Sequence, residues 1–192
     1  PGLPQTEAEL EAVAQLLQLA MQSQVPTIVD AGALQSLSIL AGNLTAPMKR
    51  GVLVCTPHPK EASRLLKLQT KDIQADRLGA MDKLCELPIN HLCHVIWVLK
   101  GACPILGEKQ SAPVIVPGGH PTLAVGGSGD VLAGILAALI TRVPDPFLGA
   151  VAGVNAHQKA GQRLGARQVS GFLASEIADE LQRVLFALDD AS

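Results

Sequence analysis

Aromatic side chains are nearly missing from this chain of 192 residues, which has no tyrosine, one tryptophan and three phenylalanines. That scarcity excludes a base-stacking platform of the kind that single-stranded nucleic-acid binders use, and it leaves the core to Leu, Val, Ile and Ala. Lys/Arg clusters are also missing and the formal net charge is −2, so no nucleic-acid partner is expected. The four cysteines, Cys55, Cys85, Cys93 and Cys103, show no CxxC pair and no framework spacing. Such usage suits reduced structural thiols in a cytoplasm. No signal peptide is evident, and the longest apolar run, near residues 131–140, is too short to cross a bilayer. No GxxxxGK[ST] occurs, which excludes a P-loop, and neither GxGxxG after a strand nor a GxSxG elbow is present. His91-Leu92-Cys93-His94 is too crowded to chelate one ion and reads as a surface turn entering a strand. No metal site is therefore expected.

What is present is globular. Hydrophobic residues make up 48% and charged residues 17%, enough for one domain over residues 1–192 to bury a core without a disulfide or metal staple. Thr6 and Glu9 form a capping box ahead of the stripe Leu10, Val13, Leu17 and Ala20. Residues 26–30 predict a short strand ending in Asp30, followed by a helix through Leu34, Leu37 and Leu40. The apolar runs Val52-Leu53-Val54-Cys55 and Val95-Ile96-Trp97-Val98-Leu99 read as strands buried on both faces. Helices are predicted from Pro59, over 71–86, over 146–164 and over 174–188. Residues 104–117 predict a hairpin with Glu108-Lys109-Gln110 near a solvated tip. Alternating helices and buried strands predict an α/β fold with a mostly parallel sheet.

One segment demands a chemical explanation. In Gly126-Gly127-Ser128-Gly129-Asp130 a glycine-dense turn runs into the helical stripe Val131, Leu132, Ile135, Leu136, Leu139 and Ile140. The spacing predicts a helix starting at or near Asp130. Free N–H groups of Gly126, Gly127, Ser128 and Gly129 at that positive helix end would form an anion hole. Asp130 beside it could accept a proton from an attacking hydroxyl. The other reading makes Asp130 only a helix cap. Ser128 sits in the turn with no His/Asp pair in view.

Ligands of open α/β sheets bind outside the carboxyl ends of the strands. Those ends carry Asp30, then Thr56-Pro57-His58-Pro59-Lys60-Glu61, then Lys100-Gly101-Ala102-Cys103-Pro104, and all can face one rim together with the Gly-Asp helix. Asp30 is either a turn cap or a site residue. His58 is either a packing residue in a stiff turn or a ligand contact. Lys100 is either a solvated strand end or part of the site. His157, mid-helix, reads as a satisfied helix residue.

The stretches Val54 to Glu61 with TPHPKE, Val98-Leu99-Lys100-Gly101-Ala102, and Gly126 to Gly134 with GGSGDVLAG resemble the ADP/ATP-dependent NAD(P)H-hydrate dehydratase family. The likeness covers almost the whole chain. It implies a ribokinase-like three-layer αβα fold, and Pro1-Gly2-Leu3 resembles the end of a GPGLG segment that lies well inside the domain. The chain is thus expected to be N-terminally incomplete. Departures are Gly32 where the family has Asp, Cys103-Pro104 in place of Gly-Thr, and Gly118-Gly119-His120-Pro121 where GNPG-like sequences stand.

The resemblance implies repair of hydrated nicotinamide cofactors, with ADP or ATP phosphorylating the hydrate's 6-hydroxyl before phosphate leaves. Asp130 would be the base. Lys100, Gly101, Ala102, Cys103, Pro104 and Gly129 would contact the nucleotide, and His58, Asp130 and Gly2 the hydrate, with Mg²⁺ arriving on the nucleotide. The alternatives are a small-alcohol kinase of the same fold and an inactive nucleotide-binding fragment. Missing strands would expose a sheet edge and apolar surface, so a homo-oligomer is expected.

Overall fold

A computed structural model describes residues 6–44, 46–48, 51–167 and 171–189, with side chains as far as residue 185. The capping pattern opens the first helix as its sequence predicts. Glu9 reaches back to the Thr6 amide at 3.0 Å, and α1 (Glu7–Gln22) buries Ala14, Leu17 and Met21. Next come β1 (Thr27–Val29), a 3-10 helix (Ala31–Ser36) and α2 (Leu37–Asn43). Strand β2 (Val52–Cys55) leads into α3 (Pro59–Leu66).

The helix predicted over 71–86 is two helices, α4 (Thr70–Ala75) and α5 (Arg77–Cys85). Asp76 is the reason. Its Oδ1 accepts from the Gly79 amide at 2.8 Å, and this new N-cap competes successfully with a continuous helical backbone. A 3-10 turn (Pro88–His91) precedes β3 (His94–Leu99), β4 (Ile105–Glu108) and β5 (Val114–Ile115). Strands run in the order β1-β2-β3-β4-β5. The β1–β2 and β2–β3 pairs are parallel, in register Ile28↔Val54↔Ile96, and β3–β4 is antiparallel.

After a 3-10 turn (Pro121–Leu123) the chain ends in α6 (Ser128–Ile140), α7 (Pro146–Gly165) and α8 (Ala174–Asp189). Contacts divide it into two compact units, Pro1–Lys100 with Ile105–Val114, and Gly101–Pro104 with Ile115–Ser192. In the first unit β2 and β3 are apolar on both faces, and Leu53, Val54, Cys55 and Val95 to Leu99 are all buried. Trp97 is fully buried there. Its Nε1–H donates to Asn90 Oδ1 at 2.9 Å, and Asn90 Nδ2 donates to the Leu84 and Leu87 carbonyls, so this buried polar network closes on itself.

The second unit is helical. Small residues on α7 let α6 come close: a Cβ on Gly153 would stand 3.1 Å from Leu136 Cδ2. Between α7 and α8, the wholly buried Glu180 carboxylate meets Arg163, Arg167 and Arg183. Burial pushes its pKa up, but hydrogen bonds from Arg163 and Arg183 and the charge of Arg167 outweigh that and hold it below the usual carboxylate value.

Candidate active site

The carboxyl ends of the first unit's parallel strands hold one continuous polar cluster. Asp30 ends β1, residues 56–61 follow β2, and Lys100 follows β3. Lys100 Nζ lies 2.7 Å from Asp30 Oδ1 and 3.9 Å from Glu61 Oε2. The Asp30 and Lys100 side chains are only 10% and 20% exposed, so this pair is stronger and less screened than a surface ion pair. Arg77 completes the frame by donating to the Leu99 and Lys100 carbonyls at 3.1 and 3.3 Å.

His58 has a backbone duty that its sequence reading missed. It is the N-cap of α3: Nδ1 accepts from the Lys60 and Glu61 amides at 3.1 and 3.2 Å. Glu61 Oε2 in turn accepts from the His58 amide at 2.8 Å. HPKE is thus a capping box with His in the Ser/Thr place, a signal that was present in the sequence. Because Nδ1 is an acceptor, the ring hydrogen is on Nε2, which stands 3.3 Å from Glu61 Oε1. A side-chain face 45% exposed remains for a ligand. Two residues before it, Thr56 Oγ1 is buried with no hydrogen-bond partner among the described residues.

The second unit holds the glycine turn. Helix α6 begins at Ser128, two residues before the predicted start, and its N-cap is Gly127 in the left-handed region at φ 85°. The cap reading of Asp130 is therefore incorrect. Asp130 is the third residue of the helix, exposed, and makes no hydrogen bond or ion pair among the described residues. Its Oδ2 stands 4.0 Å from where a Gly127 Cβ would be, so the carboxylate lies beside the turn. The Ser128 amide donates to the Val125 carbonyl at 3.2 Å and the Asp130 amide to Gly127 at 3.0 Å. The amides of Gly126, Gly127 and Gly129 have no acceptor among the described residues, so the expected anion hole narrows to these three donors.

Ser128 is not a loop residue without a histidine, as its sequence reading had it. It is buried, and His157 Nε2 lies 3.2 Å from its Oγ and 3.1 Å from its carbonyl oxygen. Residues 29 positions apart leave no local pattern, which is why the pairing was invisible. Loop 101–104 sits against residues 116–119 of the same unit. The Val116 amide donates to the Pro104 carbonyl at 2.9 Å, and a Cβ on Gly119 would overlap the Ala102 carbonyl oxygen, so only glycine allows that approach. Cys103 is exposed and Pro104 buried. His120 caps the 3-10 turn through Nδ1.

Gly2 lies outside the described residues. Lys109, expected to be solvated, meets His91 Nδ1 at 2.7 Å. His94 pairs with Glu108 at 2.6 Å, and the Cys93 thiol donates to the Ile89 carbonyl, so the HLCH side chains turn to different partners. Among the described residues no group of three His, Cys, Asp or Glu could hold a metal ion.

The family model described as NAD(P)H-hydrate dehydratase matches residues 1–183. The chain belongs to that family. It is 37% identical over 186 residues to the bifunctional NAD(P)H-hydrate repair enzyme of Escherichia coli, an alignment covering 96% of this chain and 33% of that protein. The solved structure of the ADP/ATP-dependent NAD(P)H-hydrate dehydratase from Bacillus subtilis, co-crystallised with ATP and Mg²⁺, superposes with a TM-score of 0.80 at 28% identity. That match covers 97% of this chain and 62% of the other. A ribokinase-like superfamily protein of Enterococcus faecalis superposes at 0.68 with 28% identity, covering 94% and 59%. The fold is accordingly ribokinase-like α/β. This member of the dehydratase family spans a third of the bifunctional relative and less than two thirds of the solved dehydratase.

Proposed function

We propose that this chain carries the phosphoryl-transfer machinery of an ADP/ATP-dependent NAD(P)H-hydrate dehydratase. Asp130 takes the proton of the hydrate's 6-hydroxyl as its oxygen attacks the terminal phosphorus. The Gly126, Gly127 and Gly129 amides hold the transferring phosphoryl group. The ring nitrogen's lone pair then expels phosphate, and loss of a proton from the neighbouring ring carbon restores NADH or NADPH. Loop 101–104 with Lys100 and Gly129 takes the nucleotide. His58, and Gly2 beyond the described residues, contact the hydrate.

The observation that carries this reading is a carboxylate beside three amides, all without partners among the described residues, at a helix start whose N-cap Gly127 is in the left-handed region, in a member of this family. Mg²⁺ would arrive on the nucleotide, where it would offset the charge of the phosphates.

The test is turnover of the hydrate with ATP or ADP, followed by dihydronicotinamide absorbance and phosphate release, with Asp130→Asn as control. Absorbance growth that the variant abolishes supports the reading. A stable phosphorylated product on another alcohol, without hydrate turnover, makes the chain a small-alcohol kinase, and no turnover at all makes it a nucleotide-binding fragment.

Residues 1–192 form part of one such domain, a reading supported by a single family match that runs through both units over residues 1–183. Homo-oligomerisation is supported by the exposed apolar side chains Leu16, Leu19 and Val25. A cytoplasmic setting is supported by the buried, reduced thiols of Cys55, Cys85 and Cys93. Burial pushes Cys85 up to about 11, helped by Asp82, Glu86 and Glu108, and Cys93 up to about 12, so these thiols stay protonated and inert. No helix among the described residues is long and apolar enough to cross a membrane.

A further inference from the structure

One buried polar group of the second unit has no part in the scheme above. His157 is 6% exposed in the middle of α7, a place where an apolar side chain would cost nothing in desolvation. Its Nε2 approaches both the carbonyl oxygen and the Oγ of Ser128. A carbonyl oxygen only accepts, so Nε2 carries the hydrogen and the imidazole donates. The pair is therefore not a nucleophile with its base, because the nitrogen facing Ser128 has no lone pair to offer.

The peptide unit explains what the donation does. The Ser128 carbonyl and the Gly129 N–H belong to one planar trans peptide and point in opposite directions. A donor fixed on the carbonyl therefore aims the Gly129 N–H, and polarisation through the amide strengthens that N–H as a donor. Two further contacts make α7 the frame of this unit. Thr122 Oγ1 donates to the Gly161 carbonyl at 2.8 Å, and Gln162 Nε2 donates to the Gly118 carbonyl at 2.8 Å. Gly118 adjoins Gly119, which abuts Ala102. Burial also pushes the His157 pKa down to about 4, against the opposing effect of the Ser128 contact, so the ring stays a neutral donor.

We propose that His157 is a positioning residue for the phosphate end of the nucleotide: its Nε2–H holds the Ser128–Gly129 peptide so that the Gly129 amide faces the transferring phosphoryl group. The inference rests on the reading of the α6 turn as the phosphoryl site. It concerns His157 alone, a residue outside the set of nucleotide and hydrate contacts given above.

The experiment measures ATP and AMP affinity by calorimetry for the wild-type chain and for His157→Gln, His157→Asn and His157→Leu. Glutamine places an amide nitrogen near the Nε2 position, whereas asparagine reaches only to Nδ1. AMP lacks the phosphates that meet the turn. One lost hydrogen bond predicts about tenfold weaker ATP binding in His157→Asn and His157→Leu, with AMP changed less than about twofold and His157→Gln within about threefold of wild type for both. Unchanged ATP affinity in the Asn variant, or a parallel loss of ATP and AMP, would overturn the proposal. Should the Leu variant fail to fold, the Gln and Asn variants decide it. Wild-type protein that binds ATP no more tightly than AMP overturns the phosphoryl-site reading and the inference with it, whereas a wild-type preference for ATP that survives in His157→Asn overturns the inference only.

Discussion

The two polar regions of this molecule are built on opposite plans. At the strand ends of the first unit, Asp30, His58, Glu61, Arg77 and Lys100 satisfy one another: a carboxylate meets an ammonium, a histidine caps a helix, a guanidinium holds two strand-end carbonyls. At the start of α6 in the second unit, three amides and the Asp130 carboxylate have no partners among the described residues, and the supporting bonds come from behind, through His157. A region that satisfies itself is rigid before any ligand arrives and contributes to stability. A region with unsatisfied donors beside a carboxylate contributes little to stability and is poised for an anion. Substitutions in the first should therefore change folding and ligand fit, and substitutions in the second should change chemistry with little change in folding.

The largest effect is expected where the contrast is sharpest. Asp130→Asn should lower kcat by about three orders of magnitude through loss of the base, while the melting temperature stays within about 2 °C because the carboxylate has no partner to lose among the described residues. A marked fall in melting temperature would show that Asp130 is structural after all.

Acid should expose the support behind the turn. His157 titrates near 4 when folded and near 6.5 in its ordinary state, so below 6.5 the unfolded chain takes up a proton that the folded chain refuses. Stability is fullest above 6.5 and falls by about 3 kcal/mol as pH drops to 4, a slope that His157→Gln should remove in urea titrations across that range. Glu180 acts the same way in a lower window: its depressed pKa stabilises the fold above the usual carboxylate value, and this is lost as pH falls through the folded one.

Much of the fold was legible in local pattern. Val52–Cys55 and Val95–Leu99 are apolar on both faces and read directly as buried strands. The capping box at Thr6 and Pro at the first turn of α3 marked their helices directly. The break at Asp76 was not legible, because helical periodicity continues through it and only the competing cap ends it. The candidate site was legible where chemistry is contiguous, in GGSGD and TPHPKE. It was illegible where one residue acts on another across the chain, as Arg77 does on Lys100 and His157 on Ser128.

Two smaller changes refine the comparison. Gly127→Ala forces a Cβ into a left-handed conformation and to 3.0 Å from the Ala174 Cβ, so chemical denaturation should report a loss of about 1–2 kcal/mol. Phosphate affinity should fall with it. His58→Ser should keep the α3 cap, within about 0.5 kcal/mol of wild type, whereas His58→Ala should lose about 1 kcal/mol. If both raise KM for the hydrate alike, the cap and the ligand contact of His58 are separate duties. If only the alanine variant does, His58 serves the hydrate through the helix it caps.

The central claim is that phosphorus becomes bonded to the oxygen that leaves the hydrate. Hydrate labelled with oxygen-18 at its 6-hydroxyl, turned over with unlabelled ATP, tests it most directly by mass analysis of the released phosphate. Transfer at the Asp130 turn predicts one labelled oxygen in each phosphate. Label found in water, with unlabelled phosphate, would contradict it.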